Sequence, residues 1–416
     1  LVPARFKTGK LYTPLATTSG GTVLGASGDF NVTRATTATR VNASGLIESV
    51  ASGIPRLDYY TSGGVAGCPA LLVEPAATNL FSGSNDLTNT TYWTRPAGAN
   101  LTGNVSGITS PDGTQNATLF QAAGSSAANS RIRQQWSRTT TGSHAMSVFV
   151  RGVAGVAASG VLITAVGASE LNFAITSGGV VSLTSMTGGA AAVTSGIVDF
   201  GNGWYRITAV GTAATSGTTQ SEIFCSPSGT ASMYIYGAQM ETGSVATSYI
   251  PTTSGSVTRN ADVVSLSGAV SGCIGQTEGT IYAEVDVRNI TALKAIIQLD
   301  NGTGDNRLLI QISSPNTLTF FSANGGSVST IATGSISTGT HKIAASYFSG
   351  NVQMYMDGSF LTSGSMVNYP SLSLTNVSIG SRIFSAVQGN FLNDRIRSAA
   401  LYTTRLTNAQ LQALTT

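Results

Sequence analysis

Apolar residues in this chain come in short alternating runs, each closed within a few positions by Gly, Ser, Thr or Asn. SVFVRG, VLITAVG, LNFAIT, WYRITAV and SMYIYGAQM follow one another in the middle of the chain. GTIYAEVDV, KAIIQLD, RLLIQIS, TLTFFSA, HKIAASYF and NVQMYMDG follow in its last part. Alternation bounded by turn formers predicts β-strands of sandwiches with one wet face. In NVQMYMDG, Val352, Met354 and Met356 fall on one face and Gln353, Tyr355 and Asp357 on the other, and Asp357-Gly358 is a hairpin turn signal. The closing stretch LTNAQLQALTT predicts one short helix, because Thr407 and Gln410 form a capping-box pattern ahead of Leu411 and Leu414. No short internal period points to a solenoid or propeller.

Texture divides the chain in three. Residues 1–84 read as irregular, with Gly-Ser-Thr turns and Pro-anchored segments such as GIPRLDYY and LLVEPAAT. Residues 85–254 and 255–416 read as two tandem β-sandwiches. Between them, SYIPTTSGSVTRNADVV reads as a linker, since Pro251 and its Ser/Gly/Thr neighbours cannot continue a central strand. Glu74-Pro75 interrupts the greasiest N-terminal run. Pro75 ends strand pairing after Val73, and a Glu flanked by apolar residues needs hydrogen-bond partners, so Glu74 is read as structural, holding the lead-in against the first sandwich.

Composition supports a folded all-β chain and narrows its partners. With 49 glycines the chain resembles a disordered one, but 41% apolar residues and a mean hydropathy of +0.17 argue for a core. A net charge of +3 over 416 residues, with RIRQQWSR as the main basic run, excludes an extended nucleic-acid footprint. No run reaches the ~20 apolar residues of a membrane helix, so membrane insertion is not expected. Cys68, Cys225 and Cys273 are widely spaced and odd in number, which favours small buried fillers over a disulfide framework or zinc site. The chain begins at Leu1 without a signal-peptide pattern, leaving open a segment before it.

GLIESV, IPRLDYY, CPALLVEPAATNLF and LTNTTYW, continued by GNGWYRITAV, MYIYGAQMETGSVATSYIPT and VTRNADVV, resemble a segment recurrent in structural proteins of tailed bacteriophages. Those stretches look like a carbohydrate-binding-module jelly roll followed by the family's exit linker. The part from GTIYAEVDV to LYTTRLTNAQLQAL is similar to concanavalin-A-like, laminin-G-like sandwiches. The resemblance implies two tandem jelly-roll sandwiches after an irregular N-terminal virion-attachment region. It implies a non-enzymatic tail- or head-fibre or spike protein at the virion surface. Its partners would be other virion proteins and host cell-surface polysaccharide, to which it would adhere reversibly. Fibres of that kind are usually trimers, so a homotrimer is implied. Three other readings stay open: a capsid decoration or collar protein without sugar binding, a polysaccharide depolymerase, and a secreted bacterial glycan-binding protein.

The chemistry-bearing residues are few. Laminarinase-type relatives carry E-x-D-x-x-E on one strand. Glu284 and Asp286 fit its first two places, but Asn289 stands at the third and an amide cannot act as acid or base. His144 and His341 are the only histidines, so no catalytic residue is expected. In LDNGTGDN, Asp300, Asn301 and Asp305 gather oxygen ligands that suit calcium, although the same residues are plain turn formers. No other cofactor is expected. For glycan binding, Trp136 between Arg133 and Arg138 is the candidate stacking platform, with Tyr355 in the second sandwich; Trp93 and Trp204 are read as packed.

Overall fold

The computed structural model describes residues 31–416 except 62–63, 97–98, 124–129, 165–168, 189–195, 227–230, 268–273, 291, 314 and 367–372. It gives backbone alone at 61, 64–68 and 267, and adds the two short strands Phe6–Lys7 and Lys10–Leu11. Strand dominates, and Asn408–Thr415 (α1) is the one helix among the described residues.

Two sandwiches are present. In the first, a six-stranded sheet runs in the order Gly196–Gly201, Trp204–Ala213, Gly142–Gly152, Ser232–Thr242, Thr118–Gln121, Asn100–Thr102. It faces a five-stranded sheet ordered Arg131–Arg138, Gly217–Cys225, Ala158–Ile163, Glu170–Ile175, Val181–Thr187. Phe81, Trp93, Phe120, Val148, Leu162, Phe173, Ile207 and Ile235 fill the space between them.

The second sandwich has two seven-stranded sheets, and the chain reaches them by a route that local patterning did not show. Residues 31–79, expected to be an irregular lead-in, contribute three of its strands. Asn31–Thr33 closes one sheet beside Val263–Ser267. Gly64–Val73 and Leu57–Thr61 close the other beside Asp394–Tyr402, with Leu71 opposite Ile396 and Val73 opposite Asp394. Leu71 and Val73 belong to the same core as Ile281, Val285, Ile297, Phe320 and Ile343. The stretch read as a linker is a packed crossing. Val257–Arg259 pairs antiparallel with Ala77–Asn79, setting Val257 opposite Asn79 where the chain leaves for the first sandwich and returns. The first sandwich is therefore nested within the second. The physical reason this escaped a local reading is that the paired strands lie about two hundred residues apart in sequence, or more than three hundred for Gly64–Val73 with Asp394–Tyr402.

Two coverings place the site. The six-stranded sheet, expected to have one wet face, is buried on both along its central strands Gly142–Gly152 and Ser232–Thr242. Its inner face meets the five-stranded sheet. On its outer face Phe149, Phe200, Trp204 and Tyr236 pack against Val41, Ile47 and Tyr60 of the N-terminal segment and against Tyr249. A bulge in Ser232–Thr242 sets Gly237 and Ala238 opposite Val148 and switches which residues face inward, from Met233 and Ile235 before it to Ala238 and Met240 after it. Gly237 has φ +62°, and a Cβ there would stand 3.1 Å from Tyr249 and 3.2 Å from Phe149. In the second sandwich α1 lies over the outer face of its sheet, where Leu411 packs with Tyr282, Ala344, Tyr355 and Ala400. The Thr407/Gln410 capping box forms, and Asp357 and Gly358, at φ 50° and 76°, turn the hairpin that the sequence indicated.

Candidate functional site

Where the chain crosses between sandwiches, five charged side chains meet out of water: Arg34, Arg56, Glu74, Arg259 and Asp262, each 2% exposed or less. Arg56 bridges the two acids, 2.8 Å from Glu74 and in close contact with Asp262. Arg34 reaches Asp262 at 2.8 Å and Arg259 reaches Glu74 at 3.3 Å. Glu74 also accepts from the backbone N–H of Ser248 at 2.8 Å and from its hydroxyl at 2.7 Å. Burial alone would raise the Glu74 pKa, but Arg56, Arg259 and Ser248 outweigh it and hold the carboxyl far below the usual carboxylate range. Beside this cluster Asn79 spends its whole amide, donating to Ala238 and Ile250 and accepting from Phe81 and Met240. LLVEPAATNL and YIPT…VTRNAD are thus two halves of one polar crossing, and Glu74 is structural as its flanks required.

A cavity of about 360 Å³ opens next to the cluster, between the outer face of the six-stranded sheet and one end of the second sandwich. Phe149, Phe200, Tyr60 and Tyr249 supply aromatic walls, and Arg40, Arg206, Arg288 and Arg395 face two carboxylates, Asp58 and Glu74. Arg206 stands opposite Phe149 in the strand ladder, its guanidinium 5.4 Å from that ring. Its Nη1 donates to the Thr247 carbonyl at 2.6 Å and its Nη2 to the Ser147 hydroxyl at 2.9 Å. Arg395 arrives from the second sandwich, donates to Asp58 at 2.9 Å and lies 4.8 Å over Tyr60. Arg288 is held by Asp394 at 2.8 Å. Glu241, near Arg206, is fully bonded to Gln239 and Thr247, and burial raises its pKa against those bonds.

The structure does not bring the residues singled out from sequence into this cavity. Trp136 is 4% exposed, its indole N–H donating to Ser221 at 2.9 Å and its ring packed in the first sandwich beside His144. It offers no stacking platform. Strand parity is the reason: Ile132, Gln134 and Trp136 point inward, while Arg133 points the other way and pairs with Thr94, and Arg138 lies at the strand end. Tyr355 is on the outer face, as expected, but α1 covers that face and leaves it 7% exposed against Phe360. In the calcium candidate, the Asn301 side-chain oxygen accepts from Thr303, Gly304 and Asn306, and Asp300 is fully buried, accepting from Gly302 and Gln298. Burial raises the Asp300 pKa against those bonds. Asp305 is exposed on the same loop, and among the described residues no group of three or more acid, His or Cys side chains could hold a metal. Glu284 and Asp286 share one strand, beside Ser398 and Arg397. Cys225 is a buried filler whose thiol burial pushes up to about 12; Cys273 and the Cys68 side chain lie outside the described residues.

Arg206, Arg288 and Arg395 were missed because no short motif joins them. Trp136 carried a usable signal, since Ile132 lies four positions away on the same strand face. Among the described residues, no helix is long and apolar enough to cross a membrane.

The fold and the cavity define a nested pair of β-sandwiches with a cationic, aromatic-walled cleft at their junction. Residues 258–412 match the family described as the concanavalin A-like lectin/glucanases superfamily, so the chain contains a concanavalin A-like, laminin-G-like domain. That match leaves out the three N-terminal strands that complete the sandwich. Among solved structures the chain is similar to the CBM40 module of the Ruminococcus gnavus IT-sialidase, with 15% identity and a TM-score of 0.32 over 36% of this chain and 87% of that one. The same module bound to alpha2,3 sialyllactose gives 16%, 0.32, 35% and 86%. The NanB sialidase of Streptococcus pneumoniae gives 11%, 0.33, 36% and 26%. No curated protein matches the chain.

Proposed function

We propose that this protein is a non-enzymatic appendage of a tailed-phage particle, a fibre or spike that adheres reversibly to host surface glycans. The observation that carries adhesion is the cleft between the sandwiches, whose aromatic walls and fixed arginines suit a polar ligand with apolar faces. At about 360 Å³ it lies at the small end of ligand sites, roughly 300–1,000 Å³. The virion setting rests on the sequence resemblance, carried by the residues that build the crossing. A homotrimer and contacts with other virion proteins belong to the same proposal.

The two acids that line the cleft, Asp58 and Glu74, support binding without turnover. A general acid needs a carboxyl whose pKa is raised toward the working pH. Glu74 is held ionised by Arg56 and Arg259, and Asp58 accepts from Arg395 and from the backbone N–H groups of Val41 and Tyr60. Glu74 therefore has no proton to give near neutral pH.

The test is binding of the purified, labelled protein to host cells with and without extracted surface polysaccharide as competitor. Saturable binding that the polysaccharide removes supports adhesion. No binding by a properly assembled oligomer leaves the structural virion component as the reading, and reducing ends released from the polysaccharide overturn the non-enzymatic assignment.

A further inference from the structure

The charges around the cleft do not balance, and the imbalance falls on one residue. Arg40 is paired with Glu48 at 2.6 Å, Arg288 with Asp394 at 2.8 Å and Arg395 with Asp58 at 2.9 Å. Glu74 is taken by arginines behind the wall. Among the described residues Arg206 alone of the four lining arginines has no carboxylate at ion-pair distance. Two of its five N–H donors are committed, to Thr247 and Ser147, and its Nε has no hydrogen-bond partner. Nη1 of Arg395, a residue only 4% exposed, is likewise without a partner.

A guanidinium drawn partly out of water without a counter-ion is costly, and its burial already lowers the Arg206 pKa against the fields of Glu241 and Glu74. The same arrangement is pre-organised for an anion. Phe149 fixes the plane of the group, and Thr247 and Ser147 fix its rotation, so an incoming carboxylate meets a donor fork that needs no further ordering. A neutral sugar would leave that charge uncompensated.

We propose that the cleft takes an acidic saccharide, with the sugar carboxylate at Arg206. The inference rests on the glycan-binding reading and names the chemical class of its ligand.

The test uses the whole protein and calorimetric titration with hexuronate- and nonulosonate-containing oligosaccharides, each beside its carboxyl methyl ester and a neutral oligosaccharide of equal length. The expected result is that esterification weakens binding of at least one acidic sugar about tenfold or more, equivalent to about 1.4 kcal/mol, and that Arg206→Gln binds acid and ester alike. The acid–ester comparison on the unaltered protein needs no variant, so a poorly folded Arg206→Gln does not spoil it. Equal binding of acids and esters, or binding of neutral sugars only, overturns the acidic ligand and leaves adhesion standing. Absence of binding to every saccharide, together with failure of cell binding, overturns both.

Discussion

Glu74 carries its charge where water does not reach it, and Arg56 and Arg259 make that tolerable. Removing one member of a buried ion cluster leaves the others without compensation, so Glu74→Gln is expected to lower stability by roughly 3–5 kcal/mol near neutral pH. The sign with pH follows from the depressed pKa of the folded state. The contribution is complete above the ordinary Glu value of about 4.3 and is lost as pH falls below it toward the folded value. Glu241 and Asp300, whose pKa values burial raises, act oppositely: each costs stability at neutral pH and relaxes on acidification. Comparing wild type with Glu74→Gln cancels those two. The gap in urea midpoints should therefore narrow between about pH 4 and pH 2, and a gap that stays constant would refute the held-down carboxyl. The need for partners at Glu74 was legible from its apolar flanks. Which partners was not, since Arg56 and Arg259 lie eighteen residues before it and far beyond it in the chain.

Among elements, the strand Ser232–Thr242 does two jobs that its alternation alone could not reveal. Its first half sends Met233 and Ile235 into the core, and after the bulge Ala238 and Met240 take that role. Tyr236 joins the wall behind the cleft by the alternation of the first half, and the shift turns Gln239 and Glu241 to the same side, near the crossing. Gly237 makes this possible by its positive φ and missing Cβ. Gly237→Ala should strain the backbone and press on Tyr249 and Phe149, lowering stability by about 1–3 kcal/mol, read as a shifted urea midpoint. Because Phe149 orients Arg206, the variant should also weaken acidic-saccharide binding, whereas a bulge of no consequence would move neither. Strands, the Asp357-Gly358 hairpin and α1 were legible because each is encoded within ten residues or so. The inward turn of Trp136 and the covering of Tyr355 depend on what lies across the sheet, which a single run of residues does not carry.

At the scale of the whole molecule, nesting makes a prediction that a simple tandem array does not. Residues 255–416 alone would lack Leu71 and Val73 from the core and leave the edge at Asp394–Ile396 unpaired. An open, apolar-backed edge is an aggregation site, so that fragment should express as insoluble or loosely folded material. The opposite cut should be tolerated. Asn79 and Val257 face each other across an antiparallel ladder, so replacing residues 80–256 by an Asn-Gly turn closes a hairpin where the first sandwich was inserted. The shortened chain keeps Arg34, Arg56, Glu74, Arg259 and Asp262 together and loses only the Ser248 contacts from that cluster. It also uncovers Val41, Ile47 and Tyr60, which in the whole protein pack on the first sandwich. We expect a soluble, cooperatively unfolding sandwich of reduced stability, without the saccharide binding that requires Arg206 and Phe149. Size-exclusion chromatography and urea denaturation of the two shortened chains, side by side, decide it. A well-folded 255–416 with an undiminished midpoint would mean that the N-terminal strands decorate a complete sandwich, and that the charged crossing joins two independent units.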